Sequence, residues 1–389
     1  METTFQQIPL WSQVEFVADK APARDFRVSL EDIESGTGHL IAGELANYDA
    51  DGIPFEQGDI LFGKLRPYLA KFYHAPQPGT AGGDIHVYRP LPHAHPRFIY
   101  YVVSSGSFVG HASVSTTGVK MPRTDWAALR RFPVPLPPRD TQRAIADYLD
   151  RETSEIDAML DKLNGLGRLL EERFRQQLVV AIRGTDAPLV SLGAVSDIAL
   201  GKMIQPNRKN ETDVHAPYLR AAHVQPGGRL DFDVADQKMW FVPDELARLN
   251  LRRGDVVVVE GGAGFGRPAY LDHDLEGWGF QNSINRVRPF PEKVLGKFIY
   301  YAMHLALVSG EIELEVSTAT IPHFTAEKVA RFRIPLPPLD EQERIVQHLD
   351  ETTARIDAML AKTKELKDLL TERRSALITA AVTGQIEVH

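Results

Sequence analysis

The chain has 389 residues and no cysteine, which excludes disulfides, thiolate metal sites and a cysteine nucleophile, and fits a reducing cytoplasm. No run of about 18 apolar residues occurs, so no membrane-spanning helix is expected. The first residues, METTFQQIPLW, lack a basic stretch followed by an apolar one, so no secretory leader is expected. Positive charge is also short. The net charge is −8, which excludes a uniformly basic nucleic-acid binder but not a local basic surface. What remains is 43% hydrophobic and 25% charged, the make-up of a globular chain long enough for two or three domains.

The stretch most suggestive of chemistry is GDVVVVEGGAGFGRPAYL, from Gly254 to Leu271. It resembles a strand feeding a phosphate-cradling loop. A Walker loop needs Lys and Ser or Thr after its last glycine, for the phosphates and magnesium. Here Arg267 and Pro268 follow Gly266. A dinucleotide fingerprint starts at Gly262 and Gly264, but Arg267 occupies its third glycine position and no helical period follows. Two readings stay open: a plain turn between strands, or a turn whose bare backbone and Arg267 approach a ligand such as DNA.

The chain repeats itself. RFPVPLPPRDTQRAIADYLDRETSEIDAML begins at Arg131 and RFRIPLPPLDEQERIVQHLDETTARIDAML at Arg331, an offset of 200, with more than half of the positions identical. FIYY begins at Phe98 and again at Phe298, and a Gly-Asp opens an apolar run at Gly58 and at Gly254. Each PLPP blocks a helix upstream, and Asp140 and Asp340 are expected N-caps. A seam follows with apolar residues three and four apart: Leu149, Ile156, Met159, Leu163, Leu166, Leu170, then Leu349, Ile356, Met359, Leu366, Leu370, Leu377. Gly184 and Gly384 are expected to end these helices, each about 44 residues and about 65 Å long. A lone helix of that length cannot hide an apolar stripe. The simplest partner is the other copy, antiparallel because a folded block lies between them. Leu160, Leu169, Leu360 and Leu369 fall outside the seam and offer surface to partner proteins.

The intervening blocks alternate or run apolar between Gly and Pro breaks (DILFGKL, DIHVYRP, DVVVVE, SINRVRP), and two short helices in each complete a mixed module. The expected fold is α+β: two mixed α/β domains joined by two long antiparallel coiled-coil helices with internal pseudo-twofold symmetry. The boundaries are 1–138 for the first domain, 139–185 for the first helix, 186–338 for the second domain and 339–389 for the second helix.

Two related but unequal modules at fixed separation suit duplex DNA with two unlike half-sites, the helices setting the gap. Base reading needs Arg or Lys for guanine and Asn or Gln for adenine. The turn regions supply Lys64, Arg66, Lys71, Lys120 and Arg123, with Tyr73, in the first block. The second supplies Lys202, Gln205, Asn207, Arg208, Lys209, His223, Arg267, Gln281, Asn282, Asn285 and Arg286.

The two PLPP-x-D-x-Q-x-x-I-x-x-x-L-D blocks, each followed by T-x-x-I-D-A-M-L, and the phrases GDILFGKLRPYLAKF and LNLRRGDVVVVEGGAGFGRPAYL resemble the specificity subunit of type I restriction–modification systems. The likeness runs through the whole chain. It implies a non-catalytic cytoplasmic subunit that reads bipartite double-stranded DNA and docks two methyltransferase and two restriction–translocase subunits. S-adenosylmethionine, ATP and magnesium would be bound by those partners and none by this chain. The residues agree: no Asp/Asn-Pro-Pro-Tyr/Phe methyltransferase motif occurs, and Pro243-Asp244 lacks a nuclease-like acidic-x-Lys. At position 223 the family phrase leads one to expect Asn, where this chain has His. The competing expectation is an assembly scaffold or decoy that does not read DNA.

Overall fold

The structure is a computed structural model that describes residues 5–41, 51–234, 237–316 and 323–388. Met1–Thr4, the start of the N-terminal stretch discussed above, lie outside the described residues. The chain divides into two compact units, Met1–Leu166 with Lys362–His389, and Gly167–Ala361.

Both units are built on one plan. A two-stranded ladder pairs Gln7–Pro9 with Pro133–Pro135 in the first unit, and Leu189–Ser191 with Arg333–Pro335 in the second. A four-stranded antiparallel sheet runs Val14–Val17, Ile85–Pro90, Ile60–Gly63, Phe72–His74 in the first. In the second it runs Ser196–Leu200, Ile284–Pro289, Val256–Val259, Pro268–Tyr270. A three-stranded sheet accompanies each: Arg27–Val28, Gly79–Ala81, Ile53–Phe55, and Lys238–Phe241, Val214–Leu219, Gly279–Phe280.

The valine run is a strand covered on both faces. Successive side chains of a strand point to opposite sides. Val256 and Val258 accordingly join the core beneath the helices, while Val257 and Val259 join the core under the smaller sheet. Ile60 and Phe62 separate from Leu61 in the same way in the first unit. A strand buried on both sides reads as continuous apolar sequence rather than alternation. The Gly-Asp before it has a structural use. Asp59 accepts from the Glu56 N–H at 2.8 Å and pairs with Arg89 at 2.8 Å; Asp255 accepts from the Arg252 N–H at 2.8 Å and pairs with Arg288 at 2.7 Å.

The long helices span Arg139–Arg183 and Leu339–Thr383. They start one residue before the expected caps. Asp140 and Asp340 therefore sit in the first turn, where a carboxylate favours the positive end of the helix dipole, instead of capping it. The second helix ends before Gly384, whose φ of 78° is left-handed. Within the first unit, Asp157 of one helix meets Arg374 of the other at 3.1 Å, and Ile145 and Leu149 share a core with Ile378 and Val382. Within the second, His348 meets Gln177 at 3.2 Å, and Ile345 and Leu349 share a core with Leu178 and Ile182. In both units the N-terminal part of one helix thus lies along the C-terminal part of the other, antiparallel.

The seam is only partly buried. Leu149, Ile156, Leu170, Leu349 and Ile356 are buried, and Leu163 and Leu370 half-buried. Met159, Leu166, Met359 and Leu366 are 43–54% exposed, so the apolar stripe is only partly covered at these positions. Leu169 and Leu369 are exposed as expected, while Leu160 and Leu360 are half-buried. Further short helices, Gly106–Val114 and Glu311–Val316 among them, carry no clear period and escaped the sequence reading.

The repeated residues bolt each helix to its domain. Gln142 accepts from the His95 N–H at 2.8 Å and donates to the Pro137 carbonyl at 3.0 Å. Gln342 accepts from the Leu295 N–H at 2.9 Å and donates to the Pro337 carbonyl at 2.8 Å. Tyr101 donates to Asp150 at 2.6 Å, and Tyr301 to Asp350 at 2.7 Å. Arg97 in one unit and Lys297 in the other also pair with those carboxylates.

Candidate nucleic-acid interface

In the first domain the basic residues sit on two turns that touch. The loop after Ile60–Gly63 holds Lys64 and Arg66; the turn around Gly118 holds Lys120 and Arg123. The Arg66 N–H donates to the Pro122 carbonyl at 2.8 Å, and the Thr124 N–H to the Lys64 carbonyl at 3.0 Å. This brings Lys64, Arg66, Lys120 and Arg123 onto one surface. Arg66, Lys120 and Arg123 are exposed, though Arg123 is paired with Asp84 at 3.2 Å. Lys71 is elsewhere engaged: its ammonium donates to the Leu30 carbonyl at 2.8 Å.

In the second domain the segment after Gly201 lies along the Gln281 turn. The Lys202 N–H donates to the Phe280 carbonyl at 2.9 Å, and the Asn282 N–H to the Lys202 carbonyl at 2.9 Å. Lys202, Gln205, Asn207, Arg208, Gln281 and Asn282 are thereby gathered on adjoining segments. Lys202 is half-buried and pairs with Glu245. Gln205 donates to Asp213 at 3.2 Å, and the Arg208 guanidinium lies 5.5 Å from the Trp240 ring centre. Lys209 contributes its backbone N–H to Asp213 at 2.9 Å, which helps hold that carboxyl below its usual range.

Three assignments are corrected by burial. Asn285 is 0% exposed and donates to the Phe324 carbonyl at 2.8 Å. Arg286 is 2% exposed and holds the Arg248 and Asn250 carbonyls at 3.0 and 2.9 Å, with Asp197 at 2.9 Å. His223 is 0% exposed, and its Nδ1 lies 3.1 Å from the Arg220 backbone N. These side chains fasten the domain. Polar residues on strands and turns look alike in sequence whether they face in or out.

The glycine-rich stretch joins two antiparallel strands, Val256–Val259 and Pro268–Tyr270, so it is a hairpin loop and not the strand-to-helix turn that cradles phosphate. It lines a cleft of about 290 Å³ with Ala221, Val224, Gln225 and Arg267. The Arg267 guanidinium donates to the Val224 carbonyl at 2.8 Å. Glu260 at its base is 16% exposed, its Oε2 has no hydrogen-bond partner among the described residues, and burial raises its pKa against the opposing effect of His323.

The two hairpin loops are the same device. Gly63 N–H donates to the Lys71 carbonyl at 2.8 Å, and Val259 N–H to the Arg267 carbonyl at 3.0 Å. Lys64 N–H donates to the Asp84 carbonyl, and Glu260 N–H to the Ser283 carbonyl, both at 2.9 Å. Thr124 N–H donates to the Lys64 carbonyl at 3.0 Å, and Phe324 N–H to the Glu260 carbonyl at 2.8 Å. Lys71 thus corresponds to Arg267, and both brace their loop against a neighbouring carbonyl. Lys64 corresponds to Glu260, and Arg66 to Gly262. The loop needs left-handed backbone at two places. Gly262 and Gly266 supply it at φ of 80° and 72°; Arg66 and Ala70 do so at 50° and 49°. Among the described residues these are the only non-glycine residues with positive φ. Left-handed backbone costs a residue with a Cβ about 1–2 kcal/mol. Such strain collects at functional sites.

No cluster of three or more His, Asp or Glu able to hold a metal occurs among the described residues, and no helix there is long and apolar enough to cross a membrane.

A family model described as type I restriction modification DNA specificity domain matches residues 33–166 and 188–368. The EcoBI type I restriction enzyme specificity subunit of Escherichia coli is 23% identical over 203 residues, 51% of this chain and 39% of that protein. The EcoDI specificity subunit, also from Escherichia coli, is 27% identical over 40% of this chain and 36% of that protein. The chain therefore spans well under half the length of these two relatives. The MjaVIII specificity subunit of Methanocaldococcus jannaschii is 22% identical over 70% of this chain and 66% of that one. Among solved structures, a chain described under complex assembly and conformational transition of the type I R-M system has a TM-score of 0.68 at 20% identity, covering 99% of both chains. The HsdS subunit from Thermoanaerobacter tengcongensis has a TM-score of 0.53 at 19% identity, covering 99% of this chain and 98% of that one. At such identities the structural likeness concerns the fold.

Proposed function

The chain belongs to the family of type I restriction–modification DNA specificity domains, and from that premise we propose that it reads a bipartite, asymmetric duplex DNA target without catalysing a reaction itself. Reading is assigned to 1–138 and 186–338, and spacing of the half-sites to the helices in 139–185 and 339–389. The observation that carries this is the doubled hairpin loop: one backbone device, held by the same three hydrogen bonds in both units, with unlike side chains on it. Equal frames with unequal contents are what a target with two different half-sites demands.

The contacts are assigned to Lys64, Arg66, Lys120 and Arg123 in one domain, and to Lys202, Gln205, Asn207, Arg208, Gln281 and Asn282 in the other. Half-exposed Met159, Leu166, Met359 and Leu366, with exposed Leu169 and Leu369, give the helices apolar surface for docking methyltransferase subunits. Restriction–translocase subunits join that core in the cytoplasm. S-adenosylmethionine, ATP and magnesium act on those partners.

The test is footprinting of the full chain co-purified with its methyltransferase, on duplexes selected from a random pool. Two protected patches on one duplex, separated by unread base pairs, are expected. A complex that assembles yet protects no sequence would make the chain a scaffold and end this reading.

A further inference from the structure

We propose that the hairpin loop Gly63–Lys71 is the base-reading head of the first domain and that Arg66 contacts a guanine edge in its half-site; this rests on the DNA-reading function above.

Four observations converge on Arg66. Its backbone is left-handed at φ 50°, where the equivalent residue of the second domain is a glycine at φ 80°. Glycine would fit the same loop without strain, so the fold does not require a side chain there. The strained conformation is held from outside: the Arg66 N–H donates to the Pro122 carbonyl at 2.8 Å, and the Arg66 carbonyl accepts from the Leu69 N–H at 2.9 Å. The side chain itself is exposed and makes no hydrogen bond or ion pair among the described residues, unlike Lys71, whose ammonium is spent on the Leu30 carbonyl. A cation is thus fixed at its base and free at its tip, with Lys64 two residues before it and Lys120 two residues before the Pro122 that holds its N–H.

The chemistry selects the base. A guanidinium offers a planar fork of donors that matches the paired O6 and N7 acceptors of guanine in the major groove. The second domain cannot make this contact from its loop, because Gly262 has no side chain and Glu260 replaces Lys64.

The experiment compares the wild-type chain, Arg66→Gly and Ala70→Gly, each co-purified with the methyltransferase, by sequencing duplexes selected from a random pool and by thermal melting. Ala70 is half-buried and packs inward against the domain core. Arg66→Gly should lose preference for guanine at one position of one half-site and bind the wild-type consensus about 10- to 100-fold more weakly. The other half-site should be unchanged and the melting temperature equal or higher. Ala70→Gly should raise the melting temperature and keep the full motif. An Arg66→Gly complex that selects the wild-type motif with wild-type affinity would overturn the proposal. So would one that melts lower and binds more weakly, since the side chain would then serve the fold. A wild-type complex that selects no motif would instead overturn the DNA-reading function, and this proposal with it.

Discussion

Gln142 and Gln342 are 1% and 0% exposed; where a long helix meets its domain, Gln142 closes two backbone groups and Gln342 three, the third being the Lys293 carbonyl at 3.2 Å. Replacing Gln142 by Ala strands the His95 N–H and the Pro137 carbonyl, which it now holds at 2.8 and 3.0 Å. An unsatisfied buried polar group costs about 1–3 kcal/mol, so the two stranded groups should cost the first unit about 2–6 kcal/mol, and Gln342→Ala should cost the second at least as much. The tryptophans allow the units to be followed separately. Trp11 and Trp126 belong to the first, Trp240 and Trp278 to the second. With the other pair changed to Phe, urea unfolding read by fluorescence should show Gln142→Ala lowering the first transition and Gln342→Ala the second. The isosteric Gln→Glu change adds a pH signature. A buried carboxylate facing the Pro137 or Pro337 carbonyl is disfavoured, so its pKa in the folded state is raised. The protonated acid can still donate to that carbonyl. Its stabilisation is then present below the unfolded value of about 4.3 and is lost as pH rises through the folded pKa. A shift under about 0.5 kcal/mol for Gln→Ala, or Glu variants that gain stability with rising pH, would refute the view that these glutamines bolt helix to domain.

Arg286→Met keeps the aliphatic stem but strips the Arg248 carbonyl of its donor and leaves the Asn250 carbonyl with Arg288 alone, at 3.1 Å; unit two should lose about 1–3 kcal/mol, and intact stability with weakened DNA binding would return Arg286 to the interface. Burial lowers the pKa of His86 and His304 from 6.5 to about 4, with Lys64 adding to the effect at His86. Both are neutral in the fold, so their contribution, roughly 3 kcal/mol each, is present above pH 6.5 and lost as pH falls toward 4; His304→Phe should flatten that slope in the second unit's urea transitions, and an unchanged slope would count against it. Leu349→Ala, at a fully buried site, should cost about 2–5 kcal/mol, whereas Met359→Ala, 54% exposed, should stay within about 0.5 kcal/mol; equal losses would mean that the helix seam is continuous after all.

The two-domain, two-helix plan was legible because repetition and heptad spacing are properties of sequence itself. The double-sided burial of Val256–Val259 was half-legible: the run announced a covered strand, but not that alternate valines serve different cores. A 3–4 spacing states that Met159 and Met359 share a stripe with Leu149 and Leu349, not that all four are covered to the same depth. The site was legible as turns and less so as residues. Asn285 and Arg286 belong to a strand buried on both faces, and nothing in SINRVRP marks which polar side chains turn inward. The correspondence of Lys64 with Glu260 was hidden for another reason. The loops share hydrogen bonds and backbone angles while their side chains differ, and an alignment by residue identity sees only the difference.

That contrast orders the molecule. Where the two copies agree in sequence, the shared residues fix a helix to its own domain: Gln142 and Gln342, Asp150 and Asp350, Tyr101 and Tyr301. Where they agree only in backbone, as in the hairpin loops, side chains are exchanged on a retained frame. A third class departs in both. Arg374 reaches from the second helix to Asp157 and to the Gly36 and Thr37 carbonyls, each at 3.0–3.1 Å. The same offset of 200 from Arg374 gives Phe174 in the other copy, which lies against His304 at 5.8 Å. At this position one domain is tied to the opposite helix by charge and hydrogen bonds, the other by an aromatic contact. The second unit has a charged tie as well, Arg183 with Glu311, whose side chains are 47% and 38% exposed against 9% and 23% for Arg374 and Asp157; because salt screens exposed pairs far more than buried ones, the second unit is the one whose charged grip should weaken more as ionic strength rises. A first unit that loosened with salt as steeply as the second would show that burial does not shield the Arg374–Asp157 pair.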